Sequence, residues 1–191
     1  MYPVPATTCV SPAYAYYRYG YPYPTFCAAP AYRYPAAGWA AGDWHYGGRT
    51  FRDIAMKDYG GTPLVVNIED VTERNNTYRT ALWTGSHLQV TVMSIGVGDD
   101  IGLEVHPTTD QFIRIEEGQG LVQMGDSRDR LDYAANAFED YAVMVPAGKW
   151  HNITNTGNKP MKVYAIYAPP EHAFGTVHAT KADAMAAERQ R

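Results

Sequence analysis

Along HLQVTVMSI, residues 87–95, apolar and polar side chains alternate: Leu88, Val90 and Val92 fall on one face, and His87, Gln89, Thr91 and Met93 on the other. A period of two is that of a strand with one packed face and a second turned to solvent or to a cavity. Short runs of similar character recur at LVVNIE (64–69), TALW (80–83), GLEVH (102–106), QFIRIEE (111–117), GLVQM (120–124), YAVMV (141–145), HNITNT (151–156) and MKVYAIYA (161–168). Gly, Asn, Asp and Pro punctuate them, and no long helical period intervenes, so the pattern predicts an all-β sandwich or closed barrel. Only the C-terminus reads as helix. There Thr180 and Asp183 form a capping-box pair ahead of the alanine-rich KADAMAAERQR, a segment too short to hold its shape unless it docks.

The strand pattern begins only at about Gly47. Residues 1–45 contain nine tyrosines, seven prolines and ten alanines, with Arg18, Arg33 and Asp43 as their only charges. Prolines spaced as in YPYPT and RYPAAG remove backbone donors and favour extended conformation, which suits neither helix nor central strand. So many rings with so little charge suit an adhesive or crosslinkable arm, although a featureless low-complexity extension has the same composition. The chain therefore divides into an arm (1–46), a β-domain (47–170) and a C-terminal extension with a short helix (171–191). Both cysteines, Cys9 and Cys27, lie in the arm. They are either idle thiols or crosslinks in an oxidising layer, and the β-domain needs no disulfide.

Charge removes some partners. A formal net charge of −4 without a basic run offers no footprint for a phosphate backbone, so nucleic acid is not an expected partner. No window reaches the roughly 18 consecutive apolar residues of a membrane helix, and the first twenty residues lack a basic segment and an apolar core of the secretory type. The expectation is a cytoplasmic protein with no membrane partner, or one placed in a spore coat or other cell-surface layer through its arm.

The candidate chemistry lies in EVHPTTDQ and PAGKWHNITN. In GLEVH a strand's period puts Gly102, Glu104 and His106 on one face. Pro107 ends that strand, Thr-Thr-Asp turns the chain, and Gln111 returns to the face of His106 while Asp110 points away. Pro146-Ala-Gly148 makes a tight turn, and His151 opens the next strand; in a closed barrel it can join the others. Two imidazoles, a carboxylate and an amide oxygen form a mixed N/O set that suits Mn, Fe, Ni or Zn better than Ca or Mg.

These spacings carry a family resemblance. Gly98-x5-Glu104-x-His106-x4-Gln111-x6-Gly118 resembles the first cupin motif, and Pro146-x-Gly148-x2-His151-x3-Asn155 resembles the core of the second. The resemblance covers residues 64–170 and implies a cupin jelly-roll β-barrel, usually dimeric, holding one divalent metal near its centre. It departs from the family pattern where Glu104 replaces the first histidine, Gln111 replaces the acid, and Asp140 replaces a glycine. It implies His106 and His151 as metal ligands with Gln111 third. Glu104 is either a fourth ligand or a free general base, the candidate catalytic residue. A barrel with degraded motifs and no metal, in which Glu104 and His106 are a buried polar pair, is the alternative.

Two functions follow from the resemblance. One is a metal-dependent enzyme acting on a small polar molecule by an isomerase, lyase, lactonase or dioxygenase step. Arg79 and Arg114 would be its obvious anchors for an anionic substrate, and His87, Trp83, Tyr164 and Tyr167 would be candidates for the barrel mouth, with His172 and His178 beyond it. The other is a coat-type assembly protein, since the arm's composition resembles spore-coat-type proteins; it would form a homodimer or larger homo-oligomer through the arm. A small-ligand sensor or store is a third reading.

Overall fold

A computed structural model of the chain describes residues 54–189. The arm, with Cys9 and Cys27, lies outside the described residues. The described part consists of two β-sheets facing each other across a shared core. Its elements in order are α1 (Ile68–Arg74), β1 (Arg79–Thr84), β2 (Gln89–Ile95), β3 (Asp110–Glu117), β4 (Gln119–Gly125), β5 (Tyr133–Phe138), β6 (Ala142–Val145), β7 (Trp150–Asn155), β8 (Met161–Ala168), β9 (Val177–His178) and α2 (Lys181–Glu188). One sheet runs β6-β3-β8-β2-β1-β9, the other β5-β4-β7, and their pairings are antiparallel. This is the jelly-roll barrel that the strand pattern and the motifs predict.

Register decides what faces the interior. Met93, Val163 and Ile115 lie side by side on β2, β8 and β3, and pack with Ile153 and Val122 of the facing sheet. Two residues toward the other end, the same three strands present Thr91, Ala165 and Ile113, and the next inward rung is Gln89, Tyr167 and Gln111. The interior is thus apolar at one end and polar at the other. The face of β2 that carries Gln89, Thr91 and Met93 looks into the barrel. Val90 and Val92 face outward, yet they too are covered, packing with Val71 of α1, Leu82, Ile54 and Met56. β1 likewise buries its first four residues, Arg79 to Leu82, on both faces and does not alternate.

Two sequence expectations change, and one strand is added. LVVNIE is not a strand: Val65 is 79% exposed, and α1 begins at Ile68. The side chain of Asn67 caps the helix by accepting the Asp70 amide, Glu69 and Asp70 occupy its first turn, and Val71 and Thr72 are its buried residues. Cap and acidic first turn favour helix over the β-propensity of two valines. GLEVH shrinks to a single bridge at Glu104, because Gly102 at φ 87° breaks the extended run. YAANAF forms β5 despite its alanines, an edge strand whose packing against β4 outweighs weak propensity.

The motif departure at Asp140 is conformational. Asp140 has φ 70°, the left-handed region a glycine enters freely, and aspartate is among the few other residues that visit it. Its amide donates to the Ile115 carbonyl at 2.8 Å, which holds the turn into β6. The C-terminal extension is integral to the barrel, since β9 completes the larger sheet and Ala184 of α2 joins the core. The capping box forms as predicted: Thr180 Oγ1 accepts the Asp183 amide, and the Asp183 carboxylate accepts the Thr180 amide. Lys181 then ties α2 to Asp99 and Asp100 at 2.7 and 2.6 Å.

Candidate metal centre

Glu104 and His151 exchange both backbone hydrogen bonds, at 3.1 and 2.9 Å, so they form a direct antiparallel pair. Side chains of such a pair share one face of the sheet. Two residues on, the His106 carbonyl accepts the Gly148 amide at 2.8 Å, which locks the Pro146–Gly148 turn against the segment carrying His106. Gly148 sits at φ 80°, a conformation that side-chain-bearing residues rarely adopt. The two motif segments, forty residues apart, are thus zipped together by backbone, and Glu104, His106 and His151 converge at the polar end of the barrel.

Glu104 Oε1 lies 3.4 Å from His106 Nε2 and 3.4 Å from His151 Nε2. One such atom from each residue fits within a 4.8 Å cluster. All three atoms are buried, and apart from these long contacts with one another none has a hydrogen-bond partner. Buried polar atoms without partners are rare and call for a ligand. Two donors that each bind a transition metal at about 2.1 Å stand about 3.4 Å apart at the tetrahedral angle, so the observed spacing fits an ion between them.

The outer nitrogens of both imidazoles are already occupied. His151 Nδ1 lies 3.0 Å from the Lys149 carbonyl oxygen, so it carries the proton and leaves the Nε2 lone pair facing inward. His106 Nδ1 lies 3.5 Å from Glu171 Oε2. An acceptor behind the imidazole is the arrangement that orients metal-binding histidines.

Glu104 is divided in role. Its second oxygen lies 3.7 Å from Arg79 Nη2, and Arg79, only 1% exposed, also meets Glu188 of α2 at 3.5 Å and Tyr78 through its ring face. Burial alone would raise the Glu104 pKa. Contacts with His106 and His151 and the Arg79 charge outweigh it and hold the carboxyl well below the usual carboxylate range. Burial likewise opposes protonation of His106, but Glu104 and Glu171 overcome it and raise that pKa. A carboxylate held this firmly ionised is a good metal donor and a weak base.

Gln111 is 4% exposed and faces inward, and its Oε1 is a further buried acceptor without a partner. Asp110 points away, accepting the Ala147 amide at 2.8 Å, as the turn argument expects. Tyr167, fully buried beside Gln111, sets its ring edge-on to His106 and to His172, and burial pushes its phenol up, so the hydroxyl stays protonated. His172 is buried, and its backbone clamps the Gln89 side chain through two 2.9 Å bonds. The other proposed mouth residues lie elsewhere. His87 is exposed, Trp83 donates to Thr62 on the outer surface, Tyr164 packs on Phe112, and Arg114 pairs with Asp140 and Glu116. Arg79 is a partner of Glu104 and not a rim anchor. Glu171 escaped sequence reading, since one acid after two prolines carries no spacing signal.

Two facing antiparallel sheets that gather these side chains at one polar end define a cupin, and the chain belongs to the cupin superfamily: residues 91–167 match the family described as Cupin domain. It is similar to the uncharacterized protein YrkC of Bacillus subtilis (strain 168), 63% identical over 137 residues that span 72% of this chain and 74% of that one. It also resembles the uncharacterized protein L612 of Acanthamoeba polyphaga mimivirus, 37% identical over 114 residues, 59% of this chain and 69% of that one. Among solved structures, BH2720 from Bacillus halodurans is 64% identical with a TM-score of 0.67, covering 68% of this chain and 98% of that one. Among the described residues no helix is long and apolar enough to cross a membrane.

Proposed function

We propose that Glu104, His106 and His151, with Gln111 as the neutral fourth donor, hold one divalent transition metal drawn from Mn, Fe, Ni and Zn, and that the protein is a small-molecule enzyme. The observation that carries this reading is the convergence of three buried donor atoms that face only one another, from residues whose far sides are already engaged. Without an ion these desolvated atoms have only one another, at 3.4 Å.

When bound, such an ion supplies Lewis acidity toward a carbonyl oxygen or a water. The chain's own residues set the conditions. Glu104 contributes charge, and Arg79 keeps it ionised. His106 and His151 are aimed by Glu171 and by the Lys149 carbonyl. The Tyr167 hydroxyl and the Gln111 amide are the buried polar groups on the same rung available to a substrate oxygen. With Glu104 engaged on both oxygens, the ligand role fits it better than that of a proton carrier. An isomerase, lyase, lactonase or dioxygenase step is compatible with this set.

The test is the coordination shell itself. Copper(II) added to the chelator-treated protein should bind at one per chain and show two imidazole nitrogens in pulsed electron paramagnetic resonance. A spectrum with no imidazole coupling, or one that survives His151→Ala unchanged, refutes the reading.

A further inference from the structure

Beside the strands that carry the metal donors the barrel wall is open. β5 ends the smaller sheet and β6 ends the larger, and between these two edges lies a cavity of about 640 Å³. It is deep, because its lining includes the buried core residues Val122 and Val143. Its rim carries Tyr133, Tyr141 and Met144, three of the exposed large apolar side chains of the described residues. A flat interaction surface would not reach core residues, whereas small-molecule sites are concave, mostly apolar and about 300–1,000 Å³ in volume.

Register links this cavity to the metal donors. Across the smaller sheet, Tyr133 pairs with Met124, Met124 with His151, and His151 with Glu104, so all four stand on one rung. Neighbouring strands are about 4.8 Å apart, which puts Met124, part of the cavity lining, one strand from a metal donor. Lys149 makes a second link: it lines the cavity, and its carbonyl holds His151 Nδ1.

We infer that this seam is the binding pocket for the molecule on which the metal centre acts, and that the molecule is planar and aromatic with one oxygen function. The inference rests on the metal reading above. Ala135 and Ala137 keep one wall low, which leaves a slot suited to a flat body. Tyr133 and Tyr141 offer ring faces and edges, and Met124 and Met144 offer polarisable sulfur, the side chains that pack best against an aromatic ring. The pliable Met124 side chain lies on the path along the rung from ring to donors. The body of the ligand is therefore apolar, with its oxygen function directed to the donors.

The test uses the full chain loaded with cobalt(II), with 2-naphthoate as probe and acetate as the ringless control. Calorimetry reports binding, and the visible cobalt band reports the metal. Naphthoate should bind at one site, at least about tenfold tighter than acetate, and shift the cobalt band. Ala135→Trp, which fills the slot from a half-buried edge position, should weaken naphthoate at least about tenfold with cobalt content unchanged, and Tyr141→Ala on the exposed rim should weaken it about threefold. Naphthoate no tighter than acetate, binding indifferent to both substitutions, a cobalt band that does not move, or a seam buried in a dimer that Ala135→Trp dissociates would each overturn the inference. A protein that takes up no cobalt instead refutes the metal reading.

Discussion

Replacing Glu104 with glutamine keeps the shape of the side chain and removes its charge, leaving Arg79 almost fully buried beside an uncharged amide. At the 3.7 Å separation of Arg79 Nη2 and Glu104 Oε2, with an effective dielectric near 20, the attraction lost is about 4.5 kcal/mol. Glu188, at 3.5 Å but 48% exposed, compensates weakly, since a solvent-screened pair contributes about 1 kcal/mol or less. Breaking a buried pair on one side typically costs about 3–5 kcal/mol, in agreement with that balance. We therefore expect E104Q to lose about 3–5 kcal/mol in urea unfolding of the chelator-treated protein, followed by tryptophan fluorescence. Arg79→Met removes the stranded charge, so the double variant should recover at least about 2 kcal/mol relative to the sum of the single changes. A loss below about 1 kcal/mol for E104Q, or two changes that simply add, would show that Arg79 and Glu104 are not the coupled pair on which the site is built.

Glu171→Gln should weaken metal binding by about 10- to 100-fold with all four proposed donors intact, measured by competition with a chromophoric chelator; unchanged affinity would remove its role behind His106. Gly118→Ala should destabilise by about 2 kcal/mol or more in urea, because a Cβ at φ 97° is strained and would also stand 3.2 Å from Met161 Cα. Lys181 and the Asp99–Asp100 pair give a pH signature. A hydrogen bond from Lys181 lowers the Asp99 pKa, and although burial opposes it, the two carboxylates raise that of Lys181. A depressed acid adds stability above its unfolded value near pH 4 and loses it as pH falls. A raised base adds stability below its unfolded value near pH 10 and loses it as pH climbs. The stability gap between wild type and Lys181→Met should thus be widest between those limits and close at both ends; a gap independent of pH contradicts the pairing.

The barrel and its candidate donors were legible because both depend on local spacing. Alternation in EVH and the spacing of PAGKWH pick out Glu104, His106 and His151, which the fold brings together, and a turn of fixed length turns Gln111 inward. What stayed hidden comes from contacts distant in sequence. Arg79 reaches Glu104 across twenty-five positions, and Glu171 reaches His106 from beyond the last long strand. LVVNIE misled because β-branched residues next to an Asn cap read as strand until the buried side of α1 is seen. The face of Gln89 and Thr91 reads equally as solvent or cavity from sequence, because an enclosed polar chamber requires the same residues as an exposed surface, and the fold turns it inward.

Glu104, His106, His151 and Gln111 are the proposed donors for one metal. Elemental analysis of purified wild-type protein beside the His106→Ala/His151→Ala double variant decides whether they hold it. We expect close to one divalent transition metal per wild-type chain and almost none in a folded double variant; equal metal content in the two proteins would contradict the assignment.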